Sequence, residues 1–129
     1  EIADGDWSSD VCSSDLLRYG AFSALLTGDA PMEVEETILP LLISDRIPIL
    51  KVGHHGSETS TSLELLERIA PEVAVISVGR RNRFGHPHPG VLRKIRELGA
   101  RIYRTDRDGP LSVRARRDGS YEVRRLTLD

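Results

Sequence analysis

The stretch IPILKVGHHGS, residues 47–57, decides how this chain is read. Its first six residues are mostly apolar and β-branched, and a run of that length bounded by glycine reads as a short buried strand. The run ends on Gly53-His54-His55-Gly56, followed by hydroxyls from Ser57 to Ser62. Adjacent histidines on an extended segment point to opposite sides. On a turn between two glycines, which accept backbone angles that other residues resist, both can converge. The remaining two of the four histidines lie in FGHPHPG, residues 84–90. Histidine gathered at strand ends points to a site.

Working outward, the neighbouring elements follow the same logic. LLRYGAFSALLT reads as a hairpin, one strand running to Tyr19, a turn at Gly20 and a second strand over 22–27. Pro31 suits the first turn of a helix over 32–43, where Val34, Ile38, Leu41 and Leu42 recur at helical spacing. SLELLERIA reads as a helix capped by Ser60 or Thr61, with Glu64 as capping-box partner. EVAVISV is a second apolar strand. A helix over 89–98 is closed by Gly99. Strands are expected over 101–105, 110–116 and 121–128, the last two joined by Asp118-Gly119. Strands alternating with helices give the α/β class. SSDVCSSDL, residues 8–16, has no sustained period. It resembles a translated sequencing adapter, so residues 1–16 are expected to be a non-native or disordered leader and 17–129 the domain.

The totals fit one domain: 129 residues, 39% hydrophobic. No apolar run approaches the ~20 residues that span a bilayer, and no basic-then-apolar signal peptide is visible. The single cysteine cannot form an internal disulfide. The net charge of −2 is unevenly spread. Residues 1–79 carry 4 Lys and Arg against 14 Asp and Glu, and residues 80–129 carry 14 against 6. The basic half is nearly all arginine, whose planar fork suits phosphate oxygens. It fits either a phosphate-bearing partner or a solvated face.

Candidate polar residues fall at the C-terminal ends of the expected strands, where loops of α/β folds converge into sites. Asp29 follows ALLTG and either caps the next helix across Pro31 or bridges metal ions with its two oxygens. One of His54 and His55 is placed to ligate, the other to contact substrate or donate a proton. Ser57 can anchor a phosphate or support a ligand through a hydrogen bond. In RRNRFGHPHPG, His88 stands between two prolines and reads as a helix-entry residue, while His86 is better placed toward substrate. Asn82 can hydrogen-bond a phosphate oxygen, and Arg80, Arg81 and Arg83 either neutralise a backbone or face water.

LLTGDA, LKVGHHGSETS and SVGRRNRFGHPHPGVL, in that order and each at a strand end, resemble the metallo-β-lactamase-fold domain at the C-terminus of ComEC-type DNA-uptake competence proteins. The resemblance covers residues 17–105. It implies an αββα sandwich, here incomplete and limited to its second half, with one or two zinc or manganese ions at the strand edge. It implies a phosphodiesterase or nuclease that degrades the non-transported DNA strand. Asp29 and His54 would be metal ligands, His55 and His86 catalytic, and Ser57 and Asn82 substrate-binding. Two cations would lower the pKa of a shared water and stabilise both oxygens of the displaced diester. The family's His-x-His-x-Asp-His motif is absent from this chain. Asp29 and one histidine are too few ligands for tight zinc binding, so the chain alone is expected to be inactive. Its expected partners are DNA, the missing first half of the domain and the parent's membrane channel, which would make it a soluble domain of a bacterial inner-membrane protein. Two other readings stand beside this one: a free-standing hydrolase of a small ester or phosphodiester, and a non-catalytic basic nucleic-acid-binding module.

Overall fold

The computed structural model describes residues 14–28, 46–57, 61–79 and 85–126. A tight hairpin comes first, β1 (Ser14–Tyr19) antiparallel to β2 (Phe22–Thr27). Its turn needs Gly20, which sits at φ +58 with the position of a Cβ in collision with the Arg117 carbonyl oxygen. β3 (Ile49–Lys51), β4 (Val73–Ile76) and β5 (Arg101–Arg104) follow, each parallel to the strand before it. The sheet order is β1-β2-β3-β4-β5. Two helices make the crossovers that parallel strands require: α1 (Leu63–Ile69) between β3 and β4, and α2 (Pro89–Glu97) between β4 and β5. A single helical turn, α3 (Thr105–Asp108), leads to a separate antiparallel hairpin, β6 (Leu111–Ala115) and β7 (Tyr121–Arg125).

Strand alternation sorts the apolar residues onto the two faces. The cross-strand row Leu16, Leu25, Leu50, Ala74 and Ile102 faces the helices. It packs with Leu65, Leu66 and Ile69 of α1 and with Val91, Leu92 and Ile95 of α2. Leu50, Leu65, Leu66, Ile69 and Ile95 lose all contact with solvent, and each such side chain contributes about 1.5–3 kcal/mol through burial. The neighbouring row, Leu17, Ala24, Ile49 and Val73, packs on the other face against Ala115, Tyr121 and Val123 of the second hairpin. Helices, five-stranded sheet and hairpin therefore form three layers, and the α/β class holds.

Several expectations shift in detail. β1 begins at Ser14, inside the expected leader, because Ser14 to Leu16 continue the ladder opposite Thr27 to Leu25. The cap of α1 is Ser62, not Ser60 or Thr61: Thr61 is left-handed at φ +59, whereas a cap must be extended. Ser62 Oγ accepts from the Leu65 amide at 3.1 Å, which places Glu64 one position short of the capping-box role. The helix expected over 32–43 lies outside the described residues.

Candidate functional site

The three parallel strands and β2 end together, and their ends are fastened to one another. Thr27, the last residue of β2, donates its hydroxyl to the Lys51 carbonyl at 2.6 Å. Past β3 the Val52 amide donates to the Val75 carbonyl at 2.8 Å. Past β4 the Val78 amide donates to Thr105 Oγ1 at 2.8 Å, and the same hydroxyl donates back to the Val78 carbonyl at 3.0 Å. Buried apolar strands with tied ends make the edge a rigid platform for loops.

Gly53–Gly56 forms a single turn of 3-10 helix at the end of β3, so the two histidines do not continue an extended strand. His54 and His55 are its inner residues; their side chains lie outside the described part of the structure. Gly53 passes close to β2, with the position of a Cβ 3.1 Å from both the Gly28 oxygen and Thr27 Oγ1. Gly56 has φ +82 and backs onto Pro87, where a Cβ would come within 2.6 Å of the ring. The Gly56 carbonyl accepts from the His88 amide at 2.8 Å. The two histidine-bearing loops, 32 positions apart in sequence, thus meet backbone to backbone.

Ser57 is buried directly after this turn. His86 is half-buried on the facing loop and precedes a cis Pro87. His88 is the helix-entry residue the sequence indicated: it is the N-cap of α2, and its Nδ1 accepts from the Gly90 amide at 3.0 Å with Pro89 in the first turn. Asp29, Asn82, Arg80, Arg81 and Arg83 lie outside the described residues. Of the sequence-nominated residues, the edge therefore gathers Ser57, His86 and the backbone of His54 and His55.

Sequence reasoning passed over the end of β5. There Arg104 grips Asp106 with both arms of its fork, Nε to Oδ1 at 3.0 Å and Nη2 to Oδ2 at 2.7 Å. The Arg104 hydrogen bond holds the Asp106 carboxyl below the usual carboxylate range against the opposing effect of burial. The Arg104 amide also donates to Asp108 Oδ2 at 2.8 Å. The signal was available: YRTDRDG places Thr and Asp at the end of a strand, as LLTGDA does at the end of β2.

Among the described residues, no group of three or more His, Cys, Asp or Glu side chains gathers so as to hold a metal ion. Those residues alone do not fit a zinc site, which takes at least three protein ligands.

The platform and its loops define an α/β domain whose candidate site lies at the C-terminal edge of its parallel strands. No family model matches the chain. It is 38% identical over 108 residues to ComE operon protein 3 of Bacillus subtilis, which spans 83% of this chain and 14% of that protein. It is 40% identical over 98 residues to Recombination protein 2 of Haemophilus influenzae, spanning 76% of this chain and 12% of the relative. Competence protein ComA of Neisseria gonorrhoeae is 36% identical over 110 residues, or 84% of this chain and 16% of the relative. The chain belongs to the ComEC-type competence protein family. It corresponds to a minor segment of these relatives, between 12% and 16% of their lengths.

Proposed function

We propose that the chain is part of a metal-dependent phosphodiesterase domain of metallo-β-lactamase type that cleaves DNA in the course of uptake. The observation that carries this reading is the meeting of the Gly-His-His-Gly turn with the His86–His88 loop through the Gly56–His88 bond. It brings two chemistry-bearing segments to the edge where α/β folds place their sites. The relatives' names support a competence role. Their far greater length supports a domain of a larger protein, and in this reading a membrane channel of that protein is its partner; among the described residues no helix is long and apolar enough to cross a membrane.

In this reading His55 and His86 face the scissile phosphate, where an imidazole can donate or accept a proton near neutral pH. Ser57 and Asn82 hydrogen-bond the phosphate oxygens. Asp29 and His54 contribute to a zinc or manganese site, whose metal supplies Lewis-acid activation of water when bound. The remaining ligands come from chain beyond the described residues. The second half of an αββα sandwich would supply one helix layer and one sheet layer, in keeping with the helix-covered sheet seen here.

The test is hydrolysis of a fluorescent single-stranded oligonucleotide with added manganese or zinc. The 129-residue chain by itself is expected to show little or no turnover. The same chain joined to the segment preceding it in the parent protein is expected to turn over, and His86→Ala to lower kcat by about 100-fold or more, as loss of a general acid or base does. Inactivity of the joined protein with either metal would overturn the hydrolase reading.

A further inference from the structure

The outer face of the β6–β7 hairpin is dominated by arginine. Ala115, Tyr121 and Val123 turn inward onto the sheet. By the two-residue period of a strand, Ser112, Arg114 and Arg116 face outward from one arm, and Ser120, Glu122 and Arg124 from the other. Register sets Ser112 opposite Arg124, and Arg114 opposite Glu122. All three arginines are exposed. The Arg124–Glu122 contact is long, at 3.5 Å, and the Arg124 side chain is 66% exposed; such surface pairs hold an arginine only weakly. Arg114 and Arg116 form no ion pair among the described residues.

The hairpin also has a direction relative to the candidate site. Its open end stands at the site edge, where Arg125 meets Asp108 at 3.6 Å and Thr105 is bonded to Val78. Its turn lies at the opposite edge, where the Ala21 amide donates to the Arg117 carbonyl at 2.8 Å and the Arg117 guanidinium stacks over the Tyr19 ring at 5.6 Å. Arg124, Arg114 and Arg116 therefore run in a line from the site edge back across the molecule, spaced along strands that advance about 3.4 Å per residue.

We propose that this arginine line holds the phosphate backbone of the DNA strand whose diester reaches the site edge; the inference rests on the phosphodiester reading above. Guanidinium forks pair with phosphate oxygens bidentately, and the Ser112 hydroxyl opposite Arg124 adds a donor; the Ser120 hydroxyl is already given to Asp118 at 2.6 Å. The outward set offers no aromatic ring for a base to stack on, so the contact reads backbone and not sequence. It also offers no apolar residue of the kind that anchors a membrane-surface element in lipid.

The test is fluorescence anisotropy of a labelled single-stranded oligonucleotide with the whole chain, titrated across salt concentrations. The variant is the triple Arg114→Ala, Arg116→Ala, Arg124→Ala, and circular dichroism and melting confirm that it folds. Wild type is expected to bind, and the triple variant to bind about tenfold or more weakly, with the slope of log affinity against log salt shallower by about 2 for three lost phosphate contacts. A matching Arg→Lys triple, which keeps the charge, is expected to recover most of the slope. Unchanged affinity and slope in the alanine triple would overturn the proposal, and so would absence of oligonucleotide binding by wild type at low salt. Arginine-dependent binding to phosphatidylglycerol vesicles without arginine-dependent oligonucleotide binding would overturn it in favour of a membrane surface. Hydrolysis of bis-p-nitrophenyl phosphate by the joined, metal-loaded protein separates the two readings, because so small a diester needs no track. Arginine-dependent oligonucleotide binding without that hydrolysis leaves the track standing and removes the hydrolase. Hydrolysis with arginine-independent binding does the reverse.

Discussion

The two faces of the five-stranded sheet come from the same strands, yet they are closed to different degrees. On the helix face, Leu50, Leu65, Leu66, Ile69, Ala74 and Ile95 are at zero exposure. On the hairpin face, Phe22, Ala24, Ile49 and Val73 keep 4–6%, and Tyr103 and Tyr121 are only half-buried. The hairpin is two strands wide over a sheet of five, so it covers the middle and leaves a groove on each side. One groove, about 420 Å³, is apolar and lined by Leu17, Tyr19, Leu26 and Val113. The other, about 720 Å³, is polar and lined by Glu72, Arg101, Tyr103 and Tyr121. The difference teaches where stability and adaptability reside. Helix packing closes one face completely, while the open face carries the aromatic, charged and arginine-rich groups.

The largest effect should come from the closed face. Ile95→Ala is expected to cost about 3–4 kcal/mol, since a fully buried aliphatic side chain leaves a cavity that rigid strands cannot fill. Val123→Ala, on the half-covered face, should cost about 1 kcal/mol because water and neighbours can occupy the space. Urea denaturation of the two variants side by side breaks the comparison if their costs are equal. Next comes the loop clasp. Gly56→Ala combines a left-handed backbone with a collision against Pro87, and a loss of about 2–3 kcal/mol is expected. A thermal melt of that variant showing no loss would mean that the two histidine loops do not depend on this contact. Ser62→Ala removes the cap of α1 and should cost about 1 kcal/mol, read by the same melt.

The smallest effect sharpens the comparison through pH. Burial, and then the hydrogen bond to Glu72, push the Tyr121 hydroxyl up to about 12 from 10.0. The folded state keeps this proton after the unfolded chain has released it. The associated stability is therefore complete below pH 10 and fades as pH rises from about 10 toward 12. Tyr121→Phe should cost about 1 kcal/mol or less at neutral pH and should lose less stability than wild type between pH 10 and 12. A wild-type denaturation midpoint that falls over that range no more than the variant's would remove Tyr121 as the cause.

The strands and α2 were legible because their signals are local. IPILKV and EVAVISV are short apolar runs with clear ends, and Pro89 and Gly99 bracket α2. The Asp118-Gly119 turn fixed the last hairpin for the same reason. The α1 cap was not readable, because Ser60, Thr61 and Ser62 all carry hydroxyls and only the left-handed backbone of Thr61 separates them. The layering of the second hairpin was hidden too. Its inward set of Ala115, Tyr121 and Val123 says that one face is covered, but not by which sheet. At the candidate site, glycine and histidine patterns marked two loops that the fold brings together, and His88 was read correctly as a helix entry. The clasp between Gly56 and His88 had no sequence signature, because backbone groups made it across a long separation. Arg104 and Asp106 were missed because an Arg-x-Asp pair looks like any solvated surface pair until their fork geometry is seen.

The Thr105 hydroxyl has a consequence in time as well as in space. It donates to the carbonyl of Val78 and accepts from the same residue's amide, doing with one side chain what a partner strand does with its backbone. β4 has already ended at Ile76, and the Thr105 backbone has already turned into α3. In deuterated solvent, the Val78 amide should therefore exchange as slowly as those inside the sheet, two residues beyond its last strand position. It would open only when the β4 and β5 ends part, which makes that single proton a clock for the opening of the site edge.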